Sequence, residues 1–74
     1  MIITFEGHQY DVDEQLSFKD FTGWEFISRP EYSFDNKVIY ASCFSQENPD
    51  SDIFGKALSN ATFIACNLDN VKFL

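Results

Sequence analysis

The chain has 74 residues, enough for one domain with a small core, and its formal net charge is −7. Its 45% apolar and 18% aromatic residues exclude a disordered chain, and two cysteines are too few for a disulfide framework. The sequence has neither a membrane-spanning apolar run nor a signal-peptide pattern. We therefore expect a cytoplasmic protein with reduced thiols.

The acidic residues are unevenly distributed. Residues 1–35 carry eight acids against Lys19 and Arg29, a net charge of −6, whereas residues 36–74 carry a net charge of −1. Binding to nucleic acid phosphates requires a basic surface, so we expect no direct nucleic acid contact. The acidic half can instead attract a protein with a basic surface, or it can simply keep a small aromatic-rich chain soluble.

Residues 1–14 predict a β-hairpin that caps the rest of the domain. The segment I-I-T-F is followed by a turn around Glu6-Gly7-His8 and then by Q-Y-D-V. Two short apolar segments separated by a glycine-containing turn are typical of paired antiparallel strands.

Residues 15–45 predict irregular extended structure with an apolar residue at every fifth position. The first run is Leu16, Phe21 and Phe26, and it is interrupted at Arg29-Pro30-Glu31. A second run has two possible registers, either Phe34, Ile39 and Phe44, or Val38 and Cys43 with Ala41 as a small inward residue. An ordinary hairpin turning at Asp35-Asn36 is the alternative for this segment. Residues 46–50 are polar, contain one proline, and predict a loop.

Residues 51–74 have the most regular pattern. Five large apolar residues recur at a constant spacing of five, and smaller ones stand two positions before the last three of them: Ile53, Leu58, Phe63, Leu68 and Phe73, with Ala61, Cys66 and Val71. A period of five fits neither a helix nor a flat strand. A chain that turns a corner every five residues would form a four-sided coil of about 20 residues, stacked at about 4.8 Å.

The segments A-T-F-I-A and C-N-L-D-N resemble the pentapeptide-repeat family, in which a small residue, Asp or Asn, and Leu or Phe precede two mostly polar residues. The resemblance is firm over residues 51–74 and loose over 15–45. It implies a short right-handed quadrilateral β-helix, which with the N-terminal β-hairpin predicted above would make one mainly β domain spanning residues 1–74. Lys56 at a small inward position, and Phe54 and Ile64 at polar positions, depart from the family pattern.

A second interpretation of the C-terminal residues is an α+β fold with one helix near residues 51–61 and antiparallel hairpins. Five apolar residues form a helical stripe there, namely Phe54, Leu58, Ala61, Ala65 and Leu68. Ser51 would be its N-cap, and T-F-I-A-C would pair with V-K-F-L. Gly55, Asn60 and Thr62 are poor helix-interior residues and oppose this interpretation.

Little in the sequence predicts catalysis, so we expect no enzyme, no cofactor and no metal site. His8 is the only histidine and falls in the predicted turn, while Cys43 and Cys66 are isolated. An enzyme that uses His8 as a base on the α+β fold is a third hypothesis. The side chains of Trp24 and Phe26 are expected either in the core or in an exposed interaction patch.

Several acidic pentapeptide-repeat proteins mimic duplex DNA and inhibit DNA gyrase. The resemblance and the charge together predict an acidic protein-binding module, a DNA-mimicking inhibitor of a host nucleic-acid enzyme such as gyrase or a defence nuclease. A phage-encoded protein of this kind would act in the host cytoplasm. The acids expected to contact the partner are Asp11, Asp13, Glu14, Asp20 and Glu25.

The alternative function is a small phage structural or assembly protein that self-associates and has no inhibitory activity. The regular coils end in V-K-F-L without a capping segment. Phe73 and Leu74 are therefore the expected self-association residues, and a homodimer is the expected product.

Overall fold

The computed structural model describes residues 1–73, and over these residues the protein is mainly β with almost no helix. Two two-stranded sheets are present, one antiparallel and one parallel. The strands are β1 (Ile2–Phe5), β2 (His8–Asp11), β3 (Val38–Tyr40) and β4 (Thr62–Ile64), and the one helical element is a short 3-10 helix, η1 (Phe26–Ser28).

The predicted N-terminal hairpin is confirmed, with a tighter turn than expected. Strands β1 and β2 pair antiparallel from Ile2 opposite Asp11 to Phe5 opposite His8, so His8 belongs to the strand. The turn consists of Glu6 and Gly7 alone, with φ of 50° and 81°. Two consecutive positive φ angles match the right-handed twist of the flanking strands, which is why a two-residue turn suffices.

The second sheet joins segments that are distant in sequence. Strands β3 and β4 pair in parallel, with Val38 opposite Thr62 and Tyr40 opposite Ile64. Single parallel bridges from Cys43 to Asp20 and to Asn67 extend this pairing across three segments. The predicted hairpin between T-F-I-A-C and V-K-F-L is wrong, because Val71 bridges Ser51 in parallel and does not pair with β4. A hairpin turning at Asp35-Asn36 is wrong as well, because among the described residues no strand precedes that turn after β2.

The predicted helix near residues 51–61 is also wrong, because that segment consists of the bridge at Ser51, bends and irregular backbone. Gly55 and Asn60 have φ of 71° and 57°, which an α-helix does not accommodate. Left-handed backbone recurs every five residues at Gly55, Asn60, Ala65 and Asn70. The left-handed backbone positions therefore repeat with the same period of five as the apolar residues.

The distance in sequence between paired segments departs from the expected 20 residues at all but one bridge. Ser51 pairs with Val71, 20 positions later, but Cys43 lies 23 positions after Asp20 and 24 before Asn67. Two insertions explain the difference. The five-residue spacing of buried residues widens to eight between Phe26 and Phe34 and to nine between Phe44 and Ile53, at the predicted interruption and the predicted loop.

One aromatic-rich cluster forms the core, and it consists of Leu16, Phe21, Phe26, Phe34, Ile39, Phe44, Ile53 and Phe54. The five-residue run from Leu16 to Phe26 is therefore buried as expected. The register of the second run is settled in favour of Phe34, Ile39 and Phe44, because Ala41 is exposed and Ser42 is the small buried residue. Packing loosens toward the C-terminal end, where Leu58, Phe63 and Leu68 are half-buried against the cluster.

Candidate functional site

Three of the five predicted partner-binding acids lie together at the end of the hairpin. Asp11, Asp13 and Glu14 line an open concavity of about 330 Å³, together with Asn36 and Lys37. Two cations neutralise part of this cluster. The Met1 α-amino group lies 2.9 Å from Asp11 and 3.9 Å from Glu14, and Nζ of Lys37 lies 3.4 Å from Asp13.

Asp13 has a structural role that the sequence did not predict. Its Oδ1 accepts a hydrogen bond from the amide of Leu16 at 2.9 Å, which satisfies a backbone donor where the chain leaves the hairpin. Its backbone carbonyl accepts a second bond from the amide of Ser17 at 3.0 Å. Only 19% of the Asp13 side chain is exposed, so much less of this carboxylate than of Asp11 or Glu14 faces a partner.

Asp20 and Glu25 lie outside this concavity. Oδ1 of Asp20 accepts hydrogen bonds from the Thr22 hydroxyl at 2.6 Å and from the Thr22 amide at 3.1 Å. These two bonds, the hydroxyl bond first, hold the pKa of the exposed Asp20 carboxyl below its ordinary value. Glu25 is exposed immediately before η1. The five acids therefore provide one local cluster and two separate exposed charges.

The predicted self-association end contains an apolar groove. Leu58, Ala61, Phe63, Leu68 and Phe73 line a volume of about 240 Å³. The Phe73 ring packs 5.5 Å from Phe54 and 5.6 Å from Phe63, yet 44% of the residue remains exposed. Leu74, the other residue predicted for self-association, lies outside the described residues.

Of the two aromatic residues expected either in the core or in an exposed patch, Phe26 lies in the core and Trp24 lies at its edge. Phe26 is 6% exposed and belongs to the core, whereas Trp24 is half-buried at its edge. The guanidinium carbon of Arg29 lies 4.1 Å from the centre of the Trp24 ring, a cation–π contact. From the sequence alone, Arg29 was expected only to interrupt the apolar run. Its spacing of five residues from Trp24, equal to the period of the apolar run that it interrupts, was the available signal.

The polar chemistry elsewhere is simple. His8 is exposed on the hairpin. Hydrogen bonds from Ser45 and then Thr22 lower the pKa of the Cys43 thiol, whereas burial raises the pKa of Cys66. Within residues 1–73, no three side chains of the metal-binding types lie close enough together to hold an ion. Over the same residues, no helix is long and apolar enough to cross a membrane.

Comparison with known proteins leaves the chain to be interpreted from its own residues. No protein-family model, no curated protein and no solved structure matches it. The resemblance to pentapeptide repeats therefore rests on the spacing of apolar residues and turns described above.

Proposed function

We propose that this protein is an acidic protein-binding module that occupies the basic surface of a nucleic-acid enzyme, as a DNA mimic does. The observation that carries the proposal is the exposure of the acidic half. Of the eight acids in residues 1–35, six are exposed, namely Glu6, Asp11, Glu14, Asp20, Glu25 and Glu31. The two side-chain cations of that half, Lys19 and Arg29, leave most of this charge uncompensated.

We propose further that the fold is a short, irregular right-handed quadrilateral β-helix of the pentapeptide-repeat type. Three features support this. Segments pair in parallel with their neighbours one coil away, as Cys43 does with Asp20 and Asn67. Left-handed turns recur every five residues, and the insertions between Phe26 and Phe34 and between Phe44 and Ile53 account for the longer coils. Such a coil would present its outward side chains along a narrow rod.

The dimensions limit how much DNA the protein would imitate. The molecule measures 34 × 21 × 19 Å. Duplex DNA carries one charge per ~1.7 Å of axis, or about 20 charges over that length. The protein's net charge of −7 is about a third of this. The proposed partner surface is therefore a compact basic patch within a nucleic-acid groove.

The test is capture of partners from a bacterial lysate on immobilised protein, at about 50 mM and then 200 mM salt. We expect a DNA- or RNA-handling enzyme to be captured at low salt, released at high salt, and displaced by duplex DNA. A variant with Asp11→Asn, Glu14→Gln and Glu25→Gln should lose the enzyme. Asp13 is left unchanged because its substitution would also remove a structural hydrogen bond.

The matched control removes the same charge from the other half, with Glu47→Gln, Asp50→Asn and Asp69→Asn, all exposed. It should retain the enzyme. Equal loss from both triple variants would show that only net charge matters, and capture that duplex DNA does not displace would exclude mimicry.

Self-association is the second candidate function, and the exposed Phe73 over its apolar groove favours it. A second copy would bury this groove, and the contact would persist at high salt because it is apolar. Sedimentation velocity should then show a dimer that Phe73→Glu converts to a monomer. Ile2→Glu, at an exposed residue of β1, is the control. A monomer at all concentrations would eliminate this candidate.

A further inference from the structure

A third cavity lies where η1 and the residues after it meet the turn at Gly55, apart from the acidic concavity and from the C-terminal groove. Its volume is about 320 Å³, at the lower end of the range for small-molecule pockets. The side chains that matter for its chemistry are Phe26, Ile27, Arg29, Tyr32, Phe54 and Lys56.

One wall of this cavity is aromatic and firmly held. The rings of Phe26 and Phe54 lie 5.8 Å apart and are nearly parallel, at 12°. Tyr32 packs edge-on against Phe26 at 5.5 Å. Phe26 and Phe54 are 6% and 5% exposed, so the core fixes both rings. A ligand would therefore meet only the small open part of each ring, together with half-buried Tyr32 and exposed Ile27, and would order few side chains on binding.

The cavity also contains two of the chain's five cations. Neither Arg29 nor Lys56 forms an ion pair within residues 1–73. Stacking on Trp24 at 4.1 Å orients the Arg29 guanidinium and leaves the N–H groups at its edge free to donate. Among the described residues, no carboxylate lines the cavity. The lining itself therefore carries two positive side chains beside an aromatic wall, while the Asp52 carboxylate accepts a hydrogen bond from the Gly55 amide at the edge of the cavity.

We propose that this cavity binds a small aromatic carboxylate. The ring of the ligand would pack against Phe26, Phe54 and Tyr32, while its carboxylate would accept hydrogen bonds from Arg29 and Lys56. The charge and the apolar wall are both required, since neither an uncharged aromatic nor a bare anion uses the whole site. The inference concerns a different surface from the acidic half and does not depend on the proposed function.

Phenylacetate is the probe, and the amide NMR signals of Ile27 and Gly55 in the full chain are the readout. We expect saturable shifts of both signals. Phenylacetamide keeps the ring without the charge, and acetate keeps the charge without the ring. Each should bind at least about tenfold more weakly than phenylacetate, the effect of losing about 1.4 kcal/mol of binding free energy. Equal binding of phenylacetate and phenylacetamide, or no saturable shift at Ile27 and Gly55, would overturn the proposal.

Substitutions of the two cations test which side chains bind the carboxylate of the ligand. Lys56→Gln and Arg29→Gln should each weaken phenylacetate binding about three- to tenfold. Lys72→Gln changes an exposed lysine outside the cavity and should leave binding unchanged. Lys56 is exposed, so Lys56→Gln should not disturb the packing of the protein. It therefore tests the carboxylate contact even if Arg29→Gln disturbs the packing of Trp24. Unchanged binding by Lys56→Gln, or equal weakening by Lys72→Gln, would contradict the site.

Discussion

Nζ of Lys37 lies 3.4 Å from Oδ2 of Asp13, and this ion pair joins the end of the hairpin to the residue before β3. The other oxygen of Asp13 accepts the Leu16 amide. Asp13→Ala should lower the free energy of unfolding by about 1–2 kcal/mol, because it removes both interactions. Asp13→Asn keeps an acceptor for the amide and should cost less, about 0.5 kcal/mol.

Urea denaturation followed by Trp24 fluorescence measures both variants. Glu14→Ala, at the exposed neighbour, is the control and should change stability by less than about 0.5 kcal/mol. If Asp13→Ala is as harmless as the control, the carboxylate is not the structural link described here.

Gly55→Ala should destabilise the protein more than Gly23→Ala. Both glycines have positive φ, 71° and 77°, so each alanine carries the same backbone cost of about 1–2 kcal/mol. A Cβ atom at Gly55 would also lie 2.5 Å from Cδ1 of Ile27, whereas Gly23 has nothing within 4 Å. Displacing Ile27 should add about 0.5–1.5 kcal/mol. Denaturant midpoints of the two variants test this, and equal midpoints would contradict the close approach.

Phe54 should contribute to the free energy of unfolding as much as a typical core residue does. It is 5% exposed and contacts Phe26, Phe34 and Phe73. We expect Phe54→Ala to cost about 3–5 kcal/mol, close to the total stability of a small domain, so the variant should be largely unfolded at 37 °C. Phe73→Ala, at 44% exposure, should cost about 1 kcal/mol and keep its thermal transition. Circular dichroism melting curves that rank the two variants in the opposite order would refute this packing.

The α-amino group of Met1 makes the stability of the hairpin pH-dependent. Its hydrogen bond to Asp11 raises its pKa above the ordinary value of 8.0. A group whose pKa is raised on folding stabilises the folded state at pH values below the pKa of the unfolded chain. That contribution is lost as the pH rises through the higher folded pKa.

Thermal melts of the original chain and of Asp11→Asn, compared from pH 7 to about pH 10, test this effect. The two melting temperatures should differ at pH 7 and converge at the alkaline end. A constant difference across the range would show that the amino group does not cause it.

The two thiols should differ in reactivity. Lowering of the Cys43 pKa increases its thiolate fraction near pH 8, whereas burial raises the pKa of Cys66 and protects it. Iodoacetamide should therefore modify Cys43 first, as peptide mass spectrometry would show. Ser45→Ala removes the hydrogen bond that contributes most to lowering the Cys43 pKa and should slow that reaction. Faster labelling of Cys66 would contradict the assignment.

The sequence predicted repeating features well and non-repeating ones poorly. The buried run from Leu16 to Phe26 and the hairpin follow from local spacing, which a single chain displays. Phe54 departs from the repeat pattern, which has a polar residue at its position, and the pattern does not say what covers it. It is buried because Phe26 and Phe34, from distant segments, pack against its ring.

In the candidate sites, too, features that depend on neighbouring residues could be predicted from the sequence, and features that depend on distant segments could not. Clustering of Asp11, Asp13 and Glu14 could be predicted because they are neighbours in sequence. The ion pair between Asp13 and Lys37 could not, since it depends on a long-range contact in which the Asp13 amide donates to the Val38 carbonyl at 2.8 Å. The cavity between Arg29 and Lys56 likewise forms only when residues 26–32 meet residues 54–56, and no local pattern predicts it.

The parallel sheet has a consequence for the order of folding. The hairpin closes over two residues, so it can form within about 1–10 μs. Residues 38 and 62 are 24 positions apart, so β3 and β4 must close a long loop before any pairing compensates for the lost chain entropy. On the ribosome, β3 stays without its neighbour until residues 62–64 have emerged from the exit tunnel. Completion of this sheet is then a late step in biosynthesis, and a stalled chain would expose the apolar residues that it covers.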